Sequence, residues 1–208
     1  MTELLPLFIN LADRSVVLVG AGRVAAGKLR QLRAAGARVR IVAPEIGAEV
    51  AAEARASESD NSAAVQVTQR AFVPRDLDGA WLVVAAATPA VNRQVAEAAE
   101  ARRVFVNAVD DPPNASAFLS GVIRRDGVTL AISTSGDAPA MTALLREGLD
   151  ALLPRDLGVW MARARAERVA WRRDGVPMSE RKPLLLRALN DLYEATVPWL
   201  NAPEDSWL

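Results

Sequence analysis

The 208-residue sequence contains no cysteine and no histidine. Without cysteine there is neither a disulfide nor a thiolate nucleophile. Without histidine, imidazole is excluded as a general base and as a metal ligand, so acid–base chemistry falls to aspartate, glutamate, tyrosine or lysine. Because the chain holds only two lysines, Lys28 and Lys182, and one tyrosine, Tyr193, we expect a carboxylate base. Any metal would have to bind oxygen ligands or nitrogen atoms of the substrate.

Excess charge and long hydrophobic runs are also missing. The formal net charge is zero, which gives no indication of a nucleic-acid partner or an anionic membrane surface. No apolar run is long enough to span a bilayer, and the first residues lack the basic start of a signal peptide. We therefore expect a cytoplasmic protein. A composition that is 51% hydrophobic allows one sizeable core and a smaller appended domain.

An apolar run that ends at closely spaced glycines is the strongest motif. Residues 15–19 are rich in valine and do not alternate with polar residues, as is typical of a strand buried on both faces. Gly20, Gly22 and Ala25 then match the dinucleotide-binding pattern G-x-G-x-x-A at the start of a predicted helix. The first glycine permits a tight turn, the second leaves room for a pyrophosphate, and the alanine lets the helix approach the strand. The alternative is a glycine turn in a fold that binds no nucleotide.

The first half of the chain alternates between strand and helix patterns, in the order β-α-β-α-β-β-α-β. This order predicts an α/β fold with a Rossmann-like, mainly parallel sheet. Ligands of such sheets bind beyond the carboxyl ends of the strands. These ends are predicted at residues 20–24, 43–45, 86–88 and 107–111. An apolar lead-in at residues 4–11 is expected to pack against the sheet.

The pattern changes after a loop signal at residues 110–114. Predicted strands at 117–123 and 128–133 flank Asp126-Gly127, a pair typical of hairpins. A helix reaching about Leu153 follows, with Asp137 as its expected N-cap, and the remainder is helical. The predicted domains are a Rossmann domain at 1–113, a hairpin-and-helix unit at 114–153, and a helical domain at 154–208. An arginine-rich stretch near residues 163–173 would either meet a polyanion or form a solvated helix face.

Several stretches taken together resemble the dehydrogenase and ferrochelatase part of the siroheme synthase family. They are Leu5–Phe8, Val19–Lys28, Asn107–Pro112, and Ser133–Pro139 with Leu144–Glu147. Some family members carry a fused methyltransferase domain, for which we expect no room in 208 residues. The resemblance implies NAD-dependent oxidation of precorrin-2 to sirohydrochlorin, a step towards siroheme. It also implies a homodimer whose contact and active-site cleft involve the hairpin and the helical tail.

Many members of this family then insert ferrous iron, which would make iron a co-substrate. The resemblance leaves this second step open, and the sequence identifies no metal ligand. A dehydrogenase without chelatase activity is one alternative. A non-catalytic nucleotide-sensing module is another, although it would need neither a catalytic carboxylate nor a macrocycle-sized cleft.

The resemblance implies that Asp110 is the catalytic base. It follows a predicted strand, where a carboxylate between cofactor and macrocycle belongs, and it matches the aspartate that the family is thought to use. The structural alternative is that Asp110 and Asp111 only start the loop at Pro112-Pro113.

Further site residues follow from the same resemblance. Arg23 and Val24 match the cofactor-binding turn, and Pro44 and Glu45 match a contact after the second strand. Glu45 would bind the adenine ribose hydroxyls and repel a 2′-phosphate, which favours NAD over NADP. Its alternative role is a carboxylate at a helix start.

The remaining candidates are hydroxyl side chains. Thr88 is expected under the nicotinamide half of the cofactor, with the N-cap of the following helix as its alternative role. Ser133 and Thr134 are expected to contact carboxylates of the tetrapyrrole substrate, or else to cap the helix that follows them.

Overall fold

The computed structural model describes residues 4–59, 64–119 and 121–194. They form two compact units. The first contains the described residues before position 120 together with Ser133–Thr142, and the second contains Gly121–Ile132 and the described residues from Ala143 onwards. The domain boundaries at 113 and 153 stay a prediction, and positions 195–208 of the predicted helical domain lie outside the described residues.

The first unit is built on a five-stranded parallel sheet. Its strands are β1 (Ser15–Val19), β2 (Arg38–Ala43), β3 (Val65–Gln69), β4 (Leu82–Ala85) and β5 (Phe105–Ala108), in the spatial order β3-β2-β1-β4-β5. The connecting helices are α1 (Arg23–Ala34), α2 (Ala48–Ser59) and α3 (Pro89–Glu100), with 3-10 turns at Pro74–Leu77 and Pro112–Asn114. The predicted Rossmann-like sheet is confirmed. The strand order places the carboxyl ends of β1 and β4 side by side at its centre.

Both faces of the sheet are buried, which explains why the central strands do not alternate. Leu18 and Val84 pack on one face with Leu29 of α1. Val17 lies on the opposite face, in a second apolar cluster with Val95 of α3. Because successive strand residues point to opposite faces, a strand covered on both sides must be apolar throughout.

The apolar lead-in enters this core only at its last residue, Leu11, so the prediction for it is wrong at most of its side chains. Leu5, Leu7 and Phe8 are 78%, 64% and 73% exposed, and Leu11 alone is buried within the described part of the segment. Leu7 lines an open groove beside Phe105 of the outer strand. The helices already cover the two faces of the sheet, which leaves a core position for Leu11 alone.

The second unit contains an antiparallel hairpin of β6 (Gly121–Arg125) and β7 (Val128–Ile132). Its turn residues Asp126 and Gly127 have φ values of +49° and +87°, as the Asp-Gly pair predicts. The first strand starts at Gly121 instead of the predicted residue 117. The reason is that the N–H groups of Ser116 and Ala117 donate to the carbonyl of Val106 in β5, so this segment belongs to the first unit.

Three longer helices complete the described chain: α4 (Pro139–Leu152), α5 (Leu157–Arg173) and α6 (Met178–Glu194). Asp137 is not the N-cap of α4, since the helix begins at Pro139 and the N–H of Ala138 donates instead to the hydroxyl of Thr134. At the other end of α4, the Arg125 guanidinium donates to the carbonyl of Leu153. No helix of the described residues is long and apolar enough to cross a membrane.

A buried carboxylate fixes the connection between β3 and β4. The side chain of Asp76 is 3% exposed and accepts two hydrogen bonds from Arg70 and one from the N–H of Val73. The hydrogen bonds from Arg70 hold the pKa of Asp76 below its usual value, and the bond from Val73 acts in the same direction, while burial opposes both. This network stabilises the turn that leads into the central strand β4.

We expect Asp76→Asn to lower the free energy of unfolding at pH 7 by about 2–3 kcal/mol, because it leaves buried donors poorly paired. A lowered pKa in the folded state stabilises the fold above the unfolded-state value near 3.9 and is lost as the pH falls through the folded-state value. The difference in stability between the two proteins should therefore start to shrink as the pH falls below about 4. Urea unfolding from pH 7 to pH 3 measures this. Asp78→Asn is the control, since Asp78 is exposed in its ion pair with Arg102, and an equal loss there would contradict the interpretation.

Candidate dinucleotide-binding and catalytic site

The turn between β1 and α1 lies against the carboxyl end of β4. Gly20 adopts a φ of +100°, a left-handed conformation that favours glycine. A Cβ atom there would collide with the carbonyl oxygen of Ala86, just after β4. The N–H of Gly20 also donates to the carbonyl of Val42, 2.9 Å away. The contact between neighbouring strand ends therefore requires this glycine, whether or not a ligand binds.

Gly22 is glycine for a different reason. It is exposed, its backbone is extended, and a Cβ atom on it would meet no described protein atom within 4 Å. It precedes α1 without a side-chain cap, and the first turn of this fully described helix carries no acidic residue. The first N–H groups and the positive end of the helix dipole are thus available to an anion. The open space at Gly22 fits a dinucleotide pyrophosphate.

The other residues of the turn divide between packing and exposure. Ala25 is fully buried in the core cluster beneath α1, so its small side chain does allow the close helix–strand contact that the motif predicts. Arg23 is exposed and the side chain of Val24 is 50% exposed at the start of the same helix. Both are accessible to a ligand at the helix N-terminus, and their contact with a cofactor stays a prediction.

The loop after β2 closes on this turn. The N–H of Gly47 donates to the carbonyl of Ala21 over 3.0 Å, and a Cβ atom at Gly47 would lie only 2.6 Å from that oxygen. The same loop carries Pro44 and Glu45, both exposed. Glu45 lies three residues before α2, whose first turn has its own acidic residue, Glu49. The fold thus brings Glu45 to the sheet edge that carries the glycine turn, outside the helix.

Thr88 lies at the carboxyl end of β4, immediately before α3. It is the N-cap residue by position, yet its side chain makes no capping hydrogen bond. The buried side chain of Asn92 instead accepts a hydrogen bond from the N–H of Ala87, at 3.1 Å. Sequence reasoning missed this role of Asn92. The hydroxyl of Thr88 is exposed at the edge where the cofactor is predicted.

The two aspartates after β5 have different surroundings. The carboxylate of Asp111 accepts hydrogen bonds from the Asn114 side chain at 2.9 and 3.0 Å and starts the 3-10 turn, which is the structural role considered for both aspartates. Asp110 is exposed and has a left-handed φ of +54°, uncommon outside glycine but tolerated by aspartate and asparagine. No residue in the described part of the chain donates a hydrogen bond to its carboxylate.

Lys28 is a residue of this site that the sequence reasoning passed over. It lies on α1, is half-buried, and its Nζ donates to the carbonyl of Leu119 at 3.2 Å. Burial lowers the pKa of Lys28, and the charge of Asp110 acts in the opposite direction. The glycine-motif helix and the Asp110 loop are thus electrostatically linked. The available signal was the scarcity of lysine, since one of two lysines lies within the glycine motif.

Ser133 and Thr134 are engaged within their own turn. The Ser133 hydroxyl accepts from the N–H of Ser135 at 3.1 Å. The Thr134 hydroxyl accepts from the N–H of Ala138 and lies 2.9 Å from the hydroxyl of Thr142 in α4. These contacts match the helix-capping alternative for Thr134, and a contact of either residue with substrate stays a prediction.

This turn nevertheless lies beside the Asp110 loop. A Cβ atom on Gly136, which has a φ of +86°, would lie 2.8 Å from a ring carbon of Pro112 and 3.5 Å from the ring of Phe118. The first unit therefore brings the hydroxyl turn to the loop that carries the carboxylate. Among the described residues, no cluster of three or more carboxylates, histidines or cysteines is arranged to hold a metal ion.

We expect Gly22→Ala and Gly20→Ala to separate ligand binding from folding. An alanine at position 22 fits the chain but enters the pyrophosphate space, so NADH affinity should fall roughly tenfold or more with little change in stability. An alanine at position 20 should lower the free energy of unfolding by about 2 kcal/mol or more through strain and steric conflict. Fluorescence titration with NADH and urea unfolding measure the two effects. Full NADH affinity in Gly22→Ala would contradict this assignment.

Comparisons with known proteins agree with this geometry. A family model described as "Putative NAD(P)-binding" matches residues 7–121. Siroheme synthase 3 of Aeromonas hydrophila subsp. hydrophila is 39% identical over 188 residues, which cover 90% of this chain and 39% of that protein. The siroheme synthase of Photorhabdus laumondii subsp. laumondii is 37% identical over 196 residues, covering 94% of this chain and 40% of that protein. A solved structure titled "SirC, precorrin-2 dehydrogenase" has a TM-score of 0.69 at 24% identity, covering 91% of this chain and 92% of that one.

The fold and the matched family model define the class, a Rossmann-type NAD(P)-binding protein. Within this class, the chain belongs to the siroheme synthase family, whose members it matches over part of their length. The resemblance seen in the sequence is thereby confirmed. The chain spans about two fifths of the length of the curated relatives it matches, and the solved structure supports the fold alone.

Proposed function

We propose that this protein catalyses the NAD-dependent oxidation of precorrin-2 to sirohydrochlorin, a step of siroheme biosynthesis. One observation carries the proposal. Asp110, an exposed carboxylate to which no described residue donates a hydrogen bond, follows β5 of the sheet whose β1–α1 turn leaves space for an anion at Gly22. The names of the relatives, siroheme synthases, support the substrate class. A purely nucleotide-sensing module would need only the glycine turn.

Each part of the site has a separate task in this reaction. The N-terminus of α1 binds the cofactor pyrophosphate, and bound NAD supplies the two-electron acceptor. Asp110 accepts the substrate proton at a carboxylate oxygen, which requires the ionised form of the side chain. The left-handed backbone conformation of Asp110 sets the direction in which its carboxylate projects from the sheet edge. Arg23 and Val24 would contact the cofactor at the helix start, and Thr88 would contact its nicotinamide half.

The proposal assigns the choice of NAD over NADP to Glu45. The hydrogen bond between Gly47 and Ala21 holds the Glu45 loop against the glycine turn. An exposed carboxylate in that loop would accept hydrogen bonds from ribose hydroxyls and repel a 2′-phosphate. Pro44, directly before it, shapes the backbone at the end of β2.

Replacing Glu45 by glutamine should therefore reduce the preference for NADH over NADPH about tenfold, by removing the repulsive charge. Fluorescence titrations with the two reduced cofactors measure the ratio without any turnover. Glu49→Gln is the matched control, because Glu49 belongs to the first turn of α2. An unchanged ratio in the Glu45 variant would assign selectivity to another residue.

Ferrous iron is the proposed second substrate. Insertion of a metal into sirohydrochlorin releases two pyrrole protons, and the Asp110 carboxylate that serves the oxidation would accept them in turn. Ser133 and Thr134 would contact substrate carboxylates from the turn beside this loop. A dehydrogenase without chelatase activity remains the alternative.

A homodimer is the proposed assembly. Helix α4 has no buried residue within its described length and exposes apolar side chains at helical spacing. These side chains are Met141, Leu144, Leu145, Leu149 and Leu152. Pairing with a second copy would remove this apolar surface from water.

The main test uses Asp110→Asn, since asparagine also tolerates the left-handed backbone at this position. We expect turnover of precorrin-2 to fall roughly a hundredfold or more, with NADH binding unchanged, because asparagine cannot accept the proton. Absorbance spectra under anaerobic conditions, with and without NAD and ferrous iron, follow both steps.

Asp111→Asn is the control for this test and should retain most turnover, since Asp111 serves the local turn. Normal turnover in the Asp110 variant would refute its assignment as base. A wild-type protein that binds NADH but never converts precorrin-2 would refute the dehydrogenase, and conversion without iron insertion would remove the chelatase step alone.

A further inference from the structure

We propose that Lys28 is a positioning residue for Asp110: its ammonium, held between helix α1 and the segment after β5, orients the loop and compensates the charge of the base. This inference rests on the proposed function, in which Asp110 is the proton acceptor. Lys28 itself touches neither substrate nor reacting atoms in this role.

The first argument is that Lys28 ties the loop to the motif helix. Its Nζ donates to the carbonyl of Leu119, 91 positions along the chain. At the other end of the loop, the N–H of Val109 donates to the carbonyl of Ala85 in β4. Val109 and Leu119 also pack against the core cluster beneath α1. The loop that carries Asp110 is therefore anchored at both ends, and Lys28 provides one anchor.

A second polar side chain, that of Asn107, holds the same segment after β5. Asn107 is 6% exposed, and its amide nitrogen donates to the carbonyl of Ala117 at 2.9 Å. Asn107 pairs in the sheet with Val84, a member of the cluster on the α1 face, so its side chain lies on that face too. Asn107 and Lys28 thus hold carbonyl groups two residues apart in one segment. The Oδ1 atom of Asn107 has no hydrogen-bond partner among the described residues.

The third argument concerns the charge of Lys28. Placing an ammonium in a half-buried position costs free energy, as the lowered pKa of Lys28 reflects. One hydrogen bond to a carbonyl does not require a cation, since a neutral amide would also donate. The charge does interact favourably with the Asp110 carboxylate. A half-buried charge that interacts with the proposed base is typical of a functional site.

The scarcity of lysine permits a direct test of the pair without any turnover. Protein labelled with ¹³C-lysine gives two side-chain signals, from Lys28 and from the exposed Lys182, which serves as the control within the same molecule. We expect Lys28 to titrate below the ordinary lysine pKa, and Asp110→Asn to lower the midpoint of Lys28 further. A Lys28 midpoint that does not respond to Asp110→Asn would overturn the pairing.

Three substitutions then separate charge from hydrogen bonding. Lys28→Met removes both, Lys28→Gln keeps a donor without charge, and Lys28→Arg keeps both. We expect kcat to fall roughly tenfold in the first two variants and to recover largely in the third, with NADH affinity unchanged in all. Urea unfolding should show that Lys28→Met is still folded under the assay conditions, so lost turnover is not lost folding.

The possible outcomes are distinguishable. Normal kcat in Lys28→Met, or a Lys28→Gln variant that retains full turnover while Lys28→Met does not, would overturn the role of the charge. If the wild-type protein oxidises no precorrin-2, the proposed function fails and the catalytic role of Lys28 fails with it. The titration of the two lysines still decides whether Lys28 and Asp110 interact.

Discussion

The candidate site depends on the contact between the ends of β1 and β4. These central strands run parallel and finish side by side, and at Gly20 the backbone passes so close to the carbonyl of Ala86 that no side chain fits. This approach brings the glycine turn of one strand and Thr88 after the other to a common edge. The contacts at Gly47 then add the loop of Glu45. Backbone packing thus brings the residues of the proposed cofactor site together.

Around this fixed edge, the residues of proposed chemical function are held less tightly. The Asp110 carboxylate is exposed, whereas Asp111 beside it is committed to a local turn. A carboxylate without a donor among the described residues keeps its lone pairs available for a proton, while the neighbouring Asp111 stabilises the turn. Lys28 and Asn107 donate hydrogen bonds to the segment that follows the Asp110 loop. Asp111, which stabilises the turn, and Asp110, which is proposed to react, are therefore adjacent in the sequence.

The sequence predicts this fold well where the relevant forces are local. The valine run at residues 15–19 indicates a strand buried on both faces, and the Asp126-Gly127 pair fixes a hairpin turn. Prediction is weaker where distant segments decide the outcome. From the sequence alone, Lys28 would be a solvent-exposed residue of a helix. In the fold, the segment containing Leu119 covers it. From the sequence alone, the apolar lead-in is expected to pack against the sheet. In the fold, α1, α2 and α3 cover both faces of the sheet.

The start of the hairpin is also decided by a distant segment. The sequence pattern predicts this start at residue 117. Instead, Ser116 and Ala117 donate to Val106, and the Ser116 hydroxyl accepts from the N–H of the same residue. These bonds occupy backbone groups on the outer side of β5. A sheet edge closed in this way offers fewer free groups for another strand to extend the sheet. Association of copies on this side would have to rely on side chains, which makes it specific to the residues presented.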